Sequence, residues 1–509
     1  MNIISSYVSL NYQSTLENNL LDKNQFNMKN IASKVRSVHK SSVLRAKHKD
    51  LKTTLTEIIP ERRQELLDIK QKYSTLKIDD ITVGSLIGGM RGNHSMLWQS
   101  TSLDSEKGIK FQGRTIQECQ ELLPKAPNEG LEGNFLPESM LWLLMTGEIP
   151  TNDQVSNLSK ELAIRGSRLP DYTVKILSDL PKNLHPMTQL AIGLASMNKD
   201  SSFASKYQKG QIGKNDYWES VFDDTLNLIA ALPRLAGRIY SKITNNDAPL
   251  GQFNLEKDWS YNISSLLGMT NGPDSLNRCN LTKTQSDDFV NLMRLYTGIH
   301  VDHEGGNVSA HATHLVGSAL NDPYLSYSSG IMGLAGPLHG LAAQEVVRFL
   351  VKMNSNISSP ENEADIEGYL WKTLNSKRVI PGYGHAVLRK PDPRFIAMLD
   401  FVNARPAEFK NDPNVMLMKK LSEVAPRVLL QHGKTKNPYP NVDSASGILF
   451  YHYGLKEMLF FTVIFGCSRS MGPLTQLVWD RIYGLPIERP KSMDIQQLKS
   501  FCKKNGEIY

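Results

Sequence analysis

At 509 residues, 40% of them hydrophobic, the chain is long enough for more than one domain and a large core, because single cores stop growing near roughly 250 to 300 residues. Its net charge of +7 is local: seven basic residues and no acidic one lie between Met28 and Lys49. The remaining body is near neutral, which argues against a nucleic-acid partner. The four scattered cysteines, Cys119, Cys279, Cys467 and Cys502, form no CxxC pair, which excludes a zinc-ribbon or disulfide framework and fits a reducing compartment. No apolar run reaches the roughly 18 to 20 residues that span a bilayer.

Residues 1–49 read as an N-terminal extension with a transit peptide. Lys29, Lys34, Arg36, Lys40, Arg45, Lys47 and Lys49 stand among serines and small apolar residues, as in an organelle address, and the mitochondrial matrix is the destination expected. Residues 1–27, with Glu17, Asp22 and many Asn and Gln, dilute that signal. Of two readings, a presequence with an acidic leader or a true start at Met28, the second is preferred. The C-terminal Gly506-Glu507-Ile508-Tyr509 is not the peroxisomal Ser-Lys-Leu.

Helical patterns dominate the rest of the chain. The stretch from Asn128 to Pro137 reads as a surface loop, after which Pro137 opens a helix that Gly147 closes. Between Asp223 and Ile243, Leu226, Ile229, Leu232, Ala236 and Ile239 form one stripe, which Pro233 should kink. From Val308 to Met353 the chain is rich in Ala, Gly, Ser and Leu, which suits closely approaching helices divided at Pro323 and Pro337. Asn354 to Glu363 reads as an exposed loop. Alternating strand patterns are scarce, so the expected fold is all-α with at most a minor hairpin.

Of twelve histidines, six (His300, His303, His311, His314, His339 and His385) lie close together along the chain. With Asp302 and Glu304 they invite a metal site, but His303-Glu304 is followed by Gly305-Gly306 and fails the H-E-x-x-H spacing that puts two ligands on one helical face. His311 and His314, three apart, read as packed core histidines. His339 stands in a turn before a strong helix former. The helix dipole there would keep the ring neutral, able to donate to an oxyanion; a residue that only caps the turn is the alternative. Pro381-Gly382-Tyr383-Gly384-His385, followed by Arg389, Lys390 and Arg394, suits a phosphate or carboxylate ligand, without the strand and full fingerprint of a dinucleotide site. Asp443, taken alone, reads as an N-cap more readily than as a base.

Together these segments resemble the citrate synthase family, eukaryotic mitochondrial type, from about residue 50 to 500. The resemblance is carried by Gly88-Gly89-Met90-Arg91-Gly92, Val301-Asp302-His303-Glu304-Gly305-Gly306-Asn307 and Gly336-Pro337-Leu338-His339-Gly340. It continues through Val379 to Lys390, Asn441-Val442-Asp443, Gly466-Cys467-Ser468-Arg469 and Glu488-Arg489-Pro490-Lys491. It implies a metal-free and cofactor-free condensation of acetyl-CoA with oxaloacetate. In that scheme Asp443 is the base, His339 the donor to the enolate oxygen, and His385 the donor to the oxaloacetate carbonyl. His303, Arg394, Arg469 and, from the other subunit of a homodimer, Arg489 bind oxaloacetate. Arg91, Lys214, Val379, Gly382, Gly384, Arg389 and Lys436 match CoA-binding positions. Lys214 departs from an arginine, keeping the charge but losing the fork, and Val301 replaces a small polar residue.

The implied organisation is a large domain from residues 50–340 and 451–509, with a small domain, 341–450, closing over the site to keep water from the enolate. Two alternatives accompany this reading. One is a 2-methylcitrate synthase acting on propionyl-CoA, where one methylene is worth only about 1 to 3 kcal/mol and Phe465 is read as limiting acyl size. The other is a structural or assembly role of the same fold.

Overall fold

The computed structural model describes residues 49–126, 133–385 and 387–505. The basic extension up to His48, residues 127–132 of the loop before Pro137, and Gly506–Tyr509 lie outside them, and with these the transit-peptide expectation. The first long helix, α1 (Leu51–Tyr73), starts at Asp50, whose carboxylate accepts from the Thr53 amide. It buries Leu51, Leu55 and Ile59, then leaves Leu67, Ile69 and Tyr73 exposed. β1 (Thr101–Asp104) and β2 (Gly108–Phe111) form an antiparallel hairpin, the only sheet among the described residues.

α2 (Pro137–Thr146) opens on its proline and is closed by Gly147 at φ 77°, as the sequence indicates. All ten of its residues are buried, so it runs through the centre of the body. α3 (Pro186–Ser196) packs on α4 (Tyr217–Asn245), and α5 (Lys283–Ile299) lies against α2. The stripe of Leu226, Ile229, Leu232, Ala236 and Ile239 is buried, and α4 remains one helix through Pro233. The proline removes one backbone donor, and core packing on both sides of it holds the helix together.

The small-residue region forms α6 (Val308–Ser318), α7 (Pro323–Leu334) and α8 (Ala342–Asn354), separated at Pro323 and around Pro337. Its composition matters where α7 meets α6: a Cβ on Gly330 would fall 2.2 Å from Thr313 Oγ1 and 2.8 Å from the Ser309 carbonyl. The loop after Asn354 ends at α9 (Glu363–Asn375). Then come α10 (Pro393–Asn403), α11 (Pro413–His432) and α12 (Asp443–His452), which pack with α8 and α9 as one group. α13 (Phe461–Arg469) returns to α5, and α14 (Met471–Tyr483) lies against α4 and α6. Past Gly484 the chain leaves as an arm, with Ile487, Met493 and Ile495 exposed, and ends in α15 (Ile495–Asn505), which buries none of its residues.

Candidate active site

The site lies where the ends of α5, α6 and α13 face the loops before α8, α10 and α12. Two turns are bound to each other there. Asn441 N–H donates to the Gly382 carbonyl at 2.9 Å, Asn441 Nδ2 to the Gly384 carbonyl at 3.1 Å, and Gly384 N–H to the Tyr439 carbonyl at 3.2 Å. Gly382 and Gly384 adopt φ of 80° and 96°, which only glycine takes without strain. A Cβ on Gly382 would meet Val346 Cγ2 at 2.8 Å and Ser444 Cβ at 2.9 Å. The glycines thus let the loop carrying His385 lie directly on the start of α12, which carries Asp443.

Asp443 is the first residue of α12, not its cap: Val442 holds the cap position, and Asp443 N–H donates to Asn441 Oδ1 at 3.0 Å. The N-cap reading of this aspartate is therefore corrected; one residue of register turns the carboxylate toward the site. Burial pushes its pKa up to about 6; Arg394 and Arg469 oppose the shift and Asp392 adds to it. A carboxylate so placed is ionised at neutral pH yet more basic than usual, which suits proton abstraction.

His385 and His303 face each other, ring centroids 5.4 Å apart. His385 Nδ1 accepts from the amides of Val387 (3.1 Å) and Leu388 (3.0 Å). A nitrogen that receives an amide hydrogen carries none of its own, so the neutral ring presents Nε2–H. Burial, then Arg394, brings its pKa down to about 4. His303 is held well below the usual range by burial first and Arg394 next, and its buried Nε2 has no hydrogen-bond partner among the described residues.

His339 is the mirror case. Its Nε2 receives the Ser309 amide at 3.3 Å and lies 2.9 Å from Ser309 Oγ, which puts the ring proton on Nδ1. Its pKa is lowered to about 4, by burial and then by Arg469. The neutrality anticipated from a helix dipole is present, but burial and the Arg469 charge produce it; α8 begins three residues later, at Ala342.

The arginines are held by their neighbours. Arg394 grips Asp392 through Nε (3.1 Å) and Nη2 (2.7 Å), and Asp392 in turn accepts from the Val442 amide at 3.3 Å. Arg469, buried on α13, donates through Nε to the His300 carbonyl (3.0 Å) and through Nη1 to Asn307 Oδ1 (3.1 Å). Phe465 lies under it, 4.7 Å from ring centroid to guanidinium carbon, and 6.2 Å from His339 by centroids. The pairings leave Arg394 Nη1 and Arg469 Nη2 for a ligand, and two guanidinium groups among neutral imidazoles suit a dicarboxylate.

Sequence reasoning missed the holders. Ser309 and Asn307 orient His339 and Arg469; Asp392, just beyond the Val379-to-Lys390 motif, orients Arg394. Asp302, considered only as a metal ligand, accepts through Oδ2 from Trp98 Nε1 (2.8 Å), Ser100 Oγ (2.6 Å) and Thr101 Oγ1 (2.8 Å), and through Oδ1 from the His303 amide (2.9 Å). Asp392, two residues before an arginine at a Pro-bounded helix start, was the one such signal within reach of sequence.

His311 and His314 are not simply packed: they pair with Glu488 and Asp480. Among the described residues no cluster of three or more His, Cys, Asp or Glu could hold a metal ion. The implied CoA positions are less gathered. Val379, Arg91, Lys214, Arg389 and Lys436 face solvent, and Lys214 lies beside Gly484. Arg489 is also exposed, on the arm beyond α14.

A largely helical body with two oppositely tautomerised neutral histidines, a buried carboxylate and fixed arginines suits an enzyme that moves a proton beside a carbonyl of a carboxylate substrate, the class to which carbon–carbon condensing enzymes belong. Residues 89–491 match the family described as "Citrate synthase, C-terminal domain". The chain is 68% identical over 472 residues to Citrate synthase 3, mitochondrial, of Saccharomyces cerevisiae, covering 92% of this chain and 96% of that protein. It is 51% identical to 2-methylcitrate synthase, mitochondrial, of Gibberella moniliformis, covering 88% and 91%. The crystal structure of citrate synthase from Pyrobaculum aerophilum shares the fold at a TM-score of 0.65 and 23% identity, over 80% of this chain and 92% of that one. The chain belongs to the citrate synthase family.

Proposed function

We propose that the chain condenses acetyl-CoA with oxaloacetate and water to give citrate and free CoA, as the entry step of the tricarboxylic acid cycle in the mitochondrial matrix. The observation that carries the mechanism is the pair of opposite tautomers: His339 offers Nδ1–H and His385 offers Nε2–H, with Asp443 the buried base. Asp443 takes a proton from the acetyl methyl group while His339 donates to the thioester oxygen, which becomes the enol or enolate oxygen. A carboxylate alone is far too weak for this proton; one well-placed donor contributes roughly 3 to 4 kcal/mol. The methylene carbon then attacks the oxaloacetate ketone, and His385 Nε2–H protonates the ketone oxygen. Water cleaves the citryl thioester, releasing citrate and CoA.

His303, Arg394 and Arg469 bind oxaloacetate, and Arg489 does so from the other subunit of a homodimer. Support for that last role is its exposure on an arm with apolar side chains bare to solvent, a surface suited to a second copy. Residues 341–450 form the closing domain, consistent with α8 to α12 packing together and supplying His385, Arg394 and Asp443. Arg91, Lys214, Val379, Gly382, Gly384, Arg389 and Lys436 bind CoA. The chemistry as written needs no metal or other cofactor. The test is CoA release from acetyl-CoA with and without oxaloacetate; release that does not depend on oxaloacetate overturns the reading.

A second reading is favoured by the 51% identity to a 2-methylcitrate synthase: the same site also accepts propionyl-CoA. Catalytic efficiencies on the two thioesters decide it, and a clear preference for propionyl-CoA would make citrate the minor product.

A further inference from the structure

Arg489 is exposed and belongs to an arm with few side chains packed on the body, so its aim must be set by contacts just before it. Those contacts are made by α6. Glu488 N–H donates to Ser318 Oγ at 3.0 Å, and Glu488 Oε1 lies 3.0 Å from His311 Nε2. The other oxygen, Oε2, is buried without a hydrogen-bond partner and stands 3.6 Å from His314 Nε2, an ion-pair distance too long for a hydrogen bond. His314 is itself fixed from behind. Its Nδ1 lies 2.8 Å from Oδ2 of the buried Asp480, whose Oδ1 accepts from Gln476 Nε2 at 2.8 Å, and Trp98 packs edge-on against the ring.

We propose that His314 is a positioning residue for the condensation: with His311 and Ser318 it clasps Glu488, and so aims the adjoining Arg489 at oxaloacetate in the other subunit's site. The inference rests on the reading of Arg489 as a ligand supplied across the dimer. A core His–Asp pair would be complete with Asp480 alone, yet the second nitrogen of His314 is turned to the carboxylate next to the substrate arginine. The same helix holds Arg469 through Asn307 and His339 through Ser309. One rigid element therefore sets donors for its own site and for its partner's.

The titratable and charged groups around His314 are Asp480, Glu488, His311 and Arg481. Burial pulls its pKa down, but the Asp480 hydrogen bond and charge, with Glu488, outweigh burial and Arg481 and leave it raised. The imidazolium is thus present below that raised pKa and is lost as pH climbs through it, which loosens the clasp on the alkaline side.

The test uses the full dimer. His314→Gln and Glu488→Gln should each raise the oxaloacetate KM about five- to tenfold, with kcat within about twofold and acetyl-CoA KM unchanged. His314→Gln should also abolish the alkaline rise in oxaloacetate KM. In an Arg489→Ala background His314→Gln should add nothing. If Arg489→Ala leaves oxaloacetate KM unchanged, the underlying arginine assignment fails. If Arg489→Ala raises it but Glu488→Gln does not, or His314→Gln adds its full effect to Arg489→Ala, the clasp is refuted. Should His314→Gln fail to fold, the half-buried Glu488→Gln decides alone.

Discussion

The buried carboxylate of Asp443 gives the sharpest pH signature. With its pKa at about 6, the ionised fraction falls from roughly nine-tenths at pH 7 to one-tenth at pH 5, so the rate should fall about tenfold over that interval. An ordinary aspartate, near pKa 3.9, would lose less than about a tenth of its activity over the same range. The window is clean because His339 and His385 titrate near 4, below it. Asp443→Asn should cost at least about 100-fold in kcat and erase this acid limb, while oxaloacetate still binds. The substitution should also stabilise the unliganded fold. Because the folded pKa lies above the unfolded one, the ionised form costs stability in full above about pH 6, and the cost disappears as pH falls toward 4. A rise from 3.8 to about 6 corresponds to on the order of 3 kcal/mol. Thioester cleavage followed by ultraviolet absorbance from pH 4.5 to 8, with denaturant melts of both proteins at pH 7.5 and 4.5, measures both effects. An acid limb centred near 4, or an asparagine variant no more stable than the parent at pH 7.5, would refute burial as the source of the basicity.

Ser309→Ala removes one of the two groups at His339 Nε2 and leaves the amide, so kcat should drop about three- to tenfold with oxaloacetate KM nearly unchanged; an unaltered kcat means the hydroxyl does not orient the ring. Gly382→Ala puts a methyl group into Val346 and Ser444 at a left-handed backbone position. It should cost roughly 2 to 4 kcal/mol in stability and displace Asp443, seen as a lower melting temperature and lower kcat; a neutral variant would mean the two turns yield freely. Phe465→Leu opens space beside His339 and Arg469. It should shift the ratio of propionyl-CoA to acetyl-CoA efficiency upward by about 5- to 50-fold, and an unchanged ratio removes Phe465 from acyl selection.

Helix positions were largely legible because they depend on local chemistry: Pro137 and Gly147 bound α2, and the 223–243 stripe marks the buried face of α4. The family was legible because its motifs are long and in order. What sequence could not show was the second layer, since its contacts join distant segments. Trp98, Ser100 and Thr101 reach Asp302 across about two hundred residues, and Asp480 and Glu488 meet His314 over more than 160. Register also escaped it: Asp443 as a cap or as the first helical residue differ by one position, and only packing of the 382–384 turn on α12 decides between them. His339 shows the remaining gap. A local cue gave the right protonation state for a reason that tertiary burial supersedes.

That protonation state is set by the demands of the substrate. A dicarboxylate suits buried arginines, and among the described residues Arg394 and Arg469 have few anions to answer them: Asp392 pairs with one, while Asp302 faces the other and is itself held by four donors. Burial first, and then this positive field, suppresses imidazolium at His303, His339 and His385, so the arginines proposed to bind substrate reinforce the neutrality that burial imposes on the rings. The field also pulls Asp443 toward ionisation, against its burial. On the proposed reading, oxaloacetate brings two carboxylates to these arginines and cancels part of that pull. On that reading its binding makes Asp443 a stronger base by electrostatics, in addition to the proposed domain closure.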